Sequence, residues 1–323
     1  MARSHTQIVL VYNNMRPIVL CSRFLVLCTT LLSLTAHAKD WPKLKGPYLG
    51  QKPPGMKPQV FAPGIVSLDD ERELNSVFSP DGRIFMFSRV VGGVFKMYFS
   101  ALDEKGVWSE PRLAGPSRTY PGHSEVDMMF APGGKRVYFI SDRPLAGYSL
   151  DRHNIWYSDL GDHGLLAPVA LGPDINGPDH DLYPMLVGDG SLYYSTSRPD
   201  SLGDRDSYRA QFRDGRFGTP VNLGKNINSK YAEGDIFVSA DETILIHNAS
   251  GRPDGRGEGD LYISFKSPNG SWSKDVHMGK EINTEANEYC PMMTPDGKYF
   301  FFTRGNDVMW MDAKALKRFR SAR

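Results

Sequence analysis

The chain has 323 residues, with 38 lysines and arginines against 37 aspartates and glutamates, for a formal net charge of +1. This balance gives no bulk positive field, so we expect no nucleic-acid partner. The 32 glycines, 23 prolines and 11% aromatic residues are typical of many short strands joined by turns. They do not indicate a collagen-like chain, because the glycines lack a triplet period.

Residues 1–38 have the pattern of an export signal. Arg16 and Arg23 supply a positive region before an apolar run of eleven residues from Phe24 to Leu34, and Ala36-His37-Ala38 follows as a small-residue cleavage site. The run is too short to span a bilayer as a helix. We therefore expect a periplasmic or secreted protein with no membrane span after signal removal, and Met15 is an alternative start.

Residues 39–58 are rich in proline and have no hydrophobic period. They predict an extended linker that lies on the domain surface or is mobile. Only Cys290 would remain after signal removal, because Cys21 and Cys28 lie in the leader. No intramolecular disulfide is then possible, and a domain of this size does not need one.

A strand–turn–strand unit occurs five times. In the first copy, Val77–Arg89, the turn is Ser79-Pro80-Asp81-Gly82. Proline presets φ, aspartate bonds its own backbone and glycine accepts positive φ, which favours a tight turn between two strands. The equivalent turn positions are Pro80, Pro132, Gly188, Ala240 and Pro295, so the steps are 52, 56, 52 and 55 residues.

Each copy continues into further strands. The third strand begins at Lys96, Asn154, Asp206, Asp260 or Asp307, and a fourth strand in the first four copies is seeded by Trp108, Leu165, Phe217 or Trp272. The fifth copy lacks a fourth strand, whereas Gln59–Val66 resembles one. We predict an all-β, five-bladed β-propeller over residues 59–323, closed by an N-terminal strand that completes the last blade, with a short C-terminal tail.

The second copy carries a family resemblance. Its run from Pro132 to Arg143, PGGKRVYFISDR, resembles the WD40-like propeller repeats known as PD40, found in TolB-type proteins. The resemblance covers about residues 59–311 and implies a β-propeller; the family includes scaffolds and envelope proteins. TolB has six blades, so a six-bladed ring is the alternative, although we find no sixth repeat.

An acidic residue stands eight positions before each turn aspartate or its equivalent. These ring acids are Glu73, Glu125, Asp181, Glu233 and Glu288. Each would open the innermost strand of its blade, so we expect the five around one mouth of the central channel. An arginine follows the second strand of each copy: Arg89, Arg143, Arg198, Arg252 and Arg304.

Two interpretations of these registers remain open. The carboxylates and guanidiniums could form repeated ion pairs that lock adjacent blades. Alternatively, the ten residues could form a binding site at the channel mouth, where a divalent cation such as calcium or a polyhydroxylated ligand relieves the repulsion among five carboxylates. Apart from that cation, we expect no cofactor.

Other candidates for chemistry are few. Asp127 and Asp235 lie two residues after their ring acids, where the first copy has Asn75. Such a pair could act as general acid and base, as in a glycosidase. His123, His180 and His247 lack metal-ligand spacing, so we expect no metal site and assign no catalytic residue.

These observations favour an exported, monomeric propeller that acts as a binding or scaffold module for an envelope protein or a glycan. The alternative is a carbohydrate-active hydrolase or lyase that uses acidic residues at the channel mouth. That alternative depends on analogy between folds.

Overall fold

The computed structural model describes residues 41–147 and 152–320, so the predicted export signal lies outside the described residues. The first strand is β1 (Gln59–Val60). Blade one contains β2 (Glu73–Phe78), β3 (Ile84–Val91), β4 (Val94–Ala101) and β5 (Arg112–Leu113). Blade two contains β6 (Glu125–Phe130), β7 (Arg136–Ser141), β8 (Asn154–Gly161), β9 (Gly164–Leu165) and β10 (Val169–Ala170).

Blade three contains β11 (Asp181–Leu186), β12 (Leu192–Thr196), β13 (Asp206–Ala210) and β16 (Val221–Asn222), with a small hairpin of β14 (Phe212–Arg213) and β15 (Arg216–Phe217). Blade four contains β17 (Ala232–Val238), β18 (Ile244–Ser250), β19 (Asp260–Phe265) and β20 (Val276–His277). Blade five contains β21 (Glu288–Met293), β22 (Tyr299–Arg304), β23 (Asp307–Asp312) and β1. The described helices are α1 (Gly115–Thr119) and two 3-10 segments, Tyr48–Gly50 and Ala313–Arg320.

The ring of five blades closes as predicted. The first strands of successive blades, β2, β6, β11, β17 and β21, contact one another in order, and β21 contacts β2 again. β1 pairs antiparallel with β23 and places Gln59 opposite Trp310. The ring of Phe61 lies 4.9 Å from that of Phe301 and 5.4 Å from that of Phe85, so it packs between blades five and one. The five-bladed propeller closed by an N-terminal strand is thus confirmed, and β1 covers an edge that would otherwise be open.

The outer strands begin later than the sequence suggested. The residues predicted to seed the outer strands each lie four residues before the outer strand of their blade. Two of them lie in isolated bridges, Trp108 and Trp272, and two lie in the short strands β9 and β15, Leu165 and Phe217. They pair with the end of the third strand or with the segment just after it. The chain therefore makes an extra hairpin before the outer strand starts, which the spacing of apolar residues does not reveal.

The proline-rich segment before β1 is attached to the propeller at defined points. The carbonyl oxygens of Leu44 and Gly46 accept bonds from the backbone N–H and the indole N–H of Trp108, at 2.9 and 2.7 Å. Gly55 accepts from the backbone of Asp312 at 2.9 Å, and Leu49 is fully buried. Residues 41–58 thus contact both blades that meet where the ring closes.

A buried polar side chain fastens the loop after each outer strand to the third strand of the same blade. In blade three, the amide of Asn228 accepts from the N–H of Ser207 and donates to its C=O, both at 2.9 Å. Asn176 and Asn283 do the same in blades two and four. A carboxamide carries one acceptor and one donor, like a peptide group, so it extends the sheet by one pairing.

Replacing Asn228 by alanine should lower the free energy of unfolding by about 1–3 kcal/mol, because the buried N–H of Ser207 loses its partner. The C=O of Ser207 keeps only the bond from the N–H of Leu223, at 3.1 Å. Urea unfolding followed by fluorescence measures this loss. Asn306→Ala, at an exposed position, is the control and should change stability by less than about 0.5 kcal/mol. Equal urea midpoints for Asn228→Ala and wild type would contradict the assigned role.

Candidate functional site

The five predicted ring acids lie inside the blades and are not exposed around the axis. Each opens, or stands second in, the first strand of its blade, and every one is fully buried. None is among the residues that line the axial cavity described below. Successive side chains of a strand point to opposite faces, so the neighbours of each ring acid face the axis instead. A ligand-binding role for the ten ring residues stays a prediction.

Three ring acids pair with the arginine predicted for the same blade. The pairs are Glu73–Arg89 at 2.7 Å, Glu288–Arg304 at 2.9 Å and Glu125–Arg143 in direct contact. Arg89 and Arg304 also donate to the carbonyl oxygens of Val66 and Ile282, at 3.1 and 2.7 Å. Those carbonyls belong to the loop that arrives from the preceding blade, so each guanidinium joins two blades.

Blade three replaces the ion pair by backbone bonds. Arg198 donates to the hydroxyl of Tyr194 and the carbonyl of Ile175, at 2.7 and 2.8 Å. Asp181 instead accepts from the N–H of Gly177 at 2.7 Å, and its other oxygen has no hydrogen-bond partner in the described part of the chain. Burial raises the pKa of Asp181 to about 7, because the charged carboxylate loses its water.

Blade four departs further from the register. Arg252 contacts Asp275 rather than Glu233, and His247 reaches the same carboxylate at 2.9 Å. Glu233 accepts from the N–H and the hydroxyl of Ser229, at 2.9 and 2.6 Å. The loop before β17 therefore satisfies this carboxylate without a guanidinium.

A cavity of about 370 Å³ opens on the axis where the inner strands begin, and every blade contributes to it. Its rim contains residues just before the ring acids or just before the predicted third strands: Arg72, His180, Asn287, Phe95, His153 and Arg205. Its walls include the residues just after the ring acids: Leu74, Val126, Leu182 and Tyr289. Its floor contains the residues one position further on: Asp127, Asp235 and Cys290.

A bulge in each inner strand brings the floor residues toward the axis. The pairing register shifts just after the ring acid in all five blades. Four residues at the floor position have positive φ, between 44° and 56°: Asn75, Asp127, Tyr183 and Cys290. Such backbone is costly for residues with a side chain, and bulges commonly redirect a side chain at functional sites.

The floor residues bond to one another's strands around the axis. Asn75 accepts from the N–H of Met128 at 3.0 Å, and Asp235 accepts from the N–H of Cys290 at 2.9 Å. The hydroxyl of Tyr183 donates to the carbonyl of Pro291 at 2.9 Å. These bonds hold the floor rigid, so the cavity above it has a preformed shape.

Asp127 and Asp235, the pair identified from sequence, are both on this floor. Burial and the charge of Asp235 raise the pKa of Asp127 well above its usual range, while Arg205 opposes the rise. Burial also raises the pKa of Asp235, against its bond from Cys290. Two like charges in one desolvated site resist joint ionisation, so loss of the proton from one carboxyl disfavours its loss from the other.

The predicted histidine candidates divide between the cavity and the blades. His180 lies on the rim with its ring 5.5 Å from that of His153, whose pKa is lowered by burial. His123 pairs with Asp142 at 3.2 Å and His247 lies in blade four, away from the rim. Within residues 41–147 and 152–320, no three His, Cys, Asp or Glu side chains come together to hold a metal ion.

Arg72, Arg205 and His153 are cavity residues that the sequence interpretation missed. Alignment of the turns gave weight to the position where all five copies agree, whereas the residues beside it differ from copy to copy. The residues before the third strands form such a variable register: Phe95, His153, Arg205, Gly259 and Asn306. Reading this register would have revealed part of the rim.

No helix in the described part of the chain is long and apolar enough to cross a bilayer. No protein-family model and no curated protein matches the sequence.

Solved structures with a similar fold do exist. An endo-arabinase from Bacteroides thetaiotaomicron has a TM-score of 0.52 at 12% identity, over 76% of this chain and 96% of that chain. TolB from Acinetobacter baumannii has 0.46 at 16%, over 74% of this chain and 54% of that chain, so this chain spans about half of TolB. A gluconolactonase from Xanthomonas campestris has 0.46 at 13%, over 84% and 97%. At these identities the likeness concerns the fold alone: an all-β propeller with TolB-type propellers among its structural neighbours.

Proposed function

We propose that this protein is an exported binding module that holds a saccharide in its axial cavity. The observation that carries the proposal is the composition of that cavity, which combines carboxyl, guanidinium, imidazole and phenol groups from five blades. A volume of about 370 Å³ lies within the usual range for ligand sites. Export is supported by the signal-like pattern of residues 1–38.

A saccharide fits this lining better than a flat protein surface would. Sugars present several hydroxyl groups that donate and accept, and the cavity offers acceptors at Asp235 and donors at Arg72 and Arg205. They also present apolar C–H faces, which Leu74 and Leu182 on the walls can contact. A concave, preformed site suits a small ligand or the end of a chain, whereas a protein partner would need a broader surface.

Hydrolysis of a saccharide is the second candidate function. Asp127 and Asp235 share one cavity, and burial raises the pKa of both carboxyls. Glycosidases use a carboxylic acid of raised pKa as proton donor and a second carboxylate as base or nucleophile. The endo-arabinase among the structural neighbours supports this candidate only as an analogy of fold.

Substitution of the floor acids distinguishes the two functions. Titration calorimetry against a panel of neutral and acidic oligosaccharides should find a ligand whose affinity falls about tenfold in Asp235→Asn, because a charged acceptor is lost. A reducing-end assay on the same ligand should detect no product. If the protein is a hydrolase, wild type releases product and Asp127→Asn loses at least about a hundredfold in rate, since the acid is gone.

Asp162→Asn, at an exposed position outside the cavity, is the matched control and should behave as wild type in both assays. Absence of binding by every oligosaccharide of the panel would contradict the saccharide site. An Asp235→Asn variant that binds the identified ligand as tightly as wild type would also contradict it.

A further inference from the structure

We propose that the axial cavity selects a saccharide that bears a carboxylate, such as a uronic acid, and that Arg205 and Arg72 bind this anion. The inference deepens the proposed function and depends on it. It follows from two arginines on the rim, Arg72 and Arg205. Both line the axial cavity, whereas none of the five aligned arginines does.

Arg205 is a partly buried cation whose side chain forms no hydrogen bond or ion pair among the described residues, although its charge opposes the rise in the pKa of Asp127 and Asp235. Its Nε atom has essentially no solvent contact and no hydrogen bond, and no carboxylate of the described residues lies within ion-pair distance of its side chain. By contrast, each of the five aligned arginines donates to an acceptor in its own blade or the adjoining loop. An unsatisfied buried donor costs about 1–3 kcal/mol, so a missing acceptor is the simplest explanation.

The backbone holds Arg205 at the junction of blades three and four. Its carbonyl accepts from the N–H of Glu233 at 2.9 Å, and it forms a parallel bridge with Ala232. The side chain leaves this fixed point to line the cavity. A guanidinium on a rigid anchor loses little freedom when it binds an anion, which favours affinity.

Arg72 is oriented on the rim but keeps its charge unpaired. Its Nε and Nη2 donate to the hydroxyl of Tyr289, at 3.3 and 3.2 Å. Its guanidinium also lies over the rings of Phe95 and Tyr289, at 5.7 and 5.8 Å. A neutral phenol orients the group without neutralising it, and no described carboxylate lies within ion-pair distance of Arg72.

The charges around the cavity favour a singly charged anion. Arg72 and Arg205 contribute two positive charges, while Asp127 and Asp235 resist joint ionisation and so contribute fewer than two negative charges. A neutral sugar would leave a guanidinium unpaired, and a doubly charged phosphate would stand near the ionised floor acid. A planar carboxylate matches the fork of guanidinium donors and brings one charge.

Paired oligosaccharides test the inference directly. The probes are oligogalacturonate, oligoglucuronate and oligomannuronate, each with its methyl ester, which keeps the sugar and removes the charge. Titration calorimetry of the whole chain should find at least one acid that binds about 10- to 100-fold more tightly than its ester. Arg205→Gln should weaken binding of the acid at least about tenfold more than binding of its ester.

Matched variants separate anion binding from folding. Arg205→Lys keeps the charge without the fork and should give an intermediate affinity. Arg216→Gln, in an exposed outer hairpin, should bind as wild type. A Tm of Arg205→Gln within about 2 °C of that of wild type would show that the fold is retained. If its Tm is lower than that, Arg72→Gln provides the same comparison of acid and ester.

The outcomes distinguish the two proposals. Equal affinity for acid and ester overturns the anion inference but leaves the saccharide site standing. Binding of neither form, nor of any neutral oligosaccharide, overturns both. Tighter binding of a sulfated galactan oligosaccharide than of every uronate overturns the choice of carboxylate.

Discussion

Replacing Arg143 by leucine is expected to lower the free energy of unfolding by about 3–5 kcal/mol, the usual cost of leaving one partner of a buried ion pair alone. Glu125 has an exposed fraction of 0% and Arg143 of 4%, so water cannot replace the lost guanidinium. One carboxylate oxygen of Glu125 already lacks a hydrogen-bond partner in the described structure, which makes Arg143 its main support. The guanidinium also lies 4.3 Å from the ring centre of Tyr120.

Urea unfolding of wild type, Arg143→Leu and the double variant Arg143→Leu with Glu125→Leu tests this expectation. The double variant removes both charges, so it should regain most of the stability lost in the single variant. A single variant within about 1 kcal/mol of wild type would contradict the argument. A double variant less stable than the single would show that packing, rather than charge, explains the loss.

Replacing Asp181 by asparagine is expected to stabilise the propeller at pH 8 but hardly at all near pH 4. The carboxyl has its ordinary pKa of 3.8 in the unfolded chain and a value of about 7 in the fold. A raised pKa favours the folded state below pH 3.8, and this advantage is lost as the pH rises to about 7. At 1.36 kcal/mol per unit, the loss above pH 7 reaches at most about 4 kcal/mol.

The stability difference between Asp181→Asn and wild type should therefore grow between pH 4 and pH 8, as measured by urea unfolding. Asparagine stays neutral and can still accept from the N–H of Gly177, so the variant should lack this pH dependence. Asp174→Asn, at an exposed position of the preceding loop, serves as the control. Its difference in stability from wild type should stay constant between pH 4 and pH 8. The prediction would be contradicted if the stability of wild type increased relative to that of Asp181→Asn as the pH rises.

The frame of the propeller and its cavity use different positions of the same repeat. Positions that agree among the copies, such as the ring acids, satisfy loops and join blades. Positions that differ, such as Arg72, His180 and Asn287 before those acids, face the axis. Each blade must meet its neighbours in the same way, whereas a ligand at the centre contacts each blade differently.

Much of the fold could be predicted from the sequence because its causes are local. Turn chemistry at Pro80-Asp81-Gly82 and its equivalents located the inner hairpins, and the number of repeats indicated five blades. The leftover strand at Gln59–Val66 indicated how the ring closes. The pairing of acids with arginines was correctly suggested as one alternative for three blades, since both groups recur at a fixed separation across one hairpin.

The site was only partly predictable because it depends on directions that residue spacing does not encode. Asp127 and Asp235 were singled out from sequence, but a separate bulge in the inner strand of each blade places these side chains at the axis. Arg252 pairs with Asp275 and not with Glu233, because the loop before the outer strand of blade four places the Asp275 carboxylate against the guanidinium. The sequence by itself determined the repeat, the closure and the acidic register. Tertiary structure decided which side chains face the axis and left the Nε of Arg205 without a hydrogen bond among the described residues, because segments distant in the chain meet only when the ring closes.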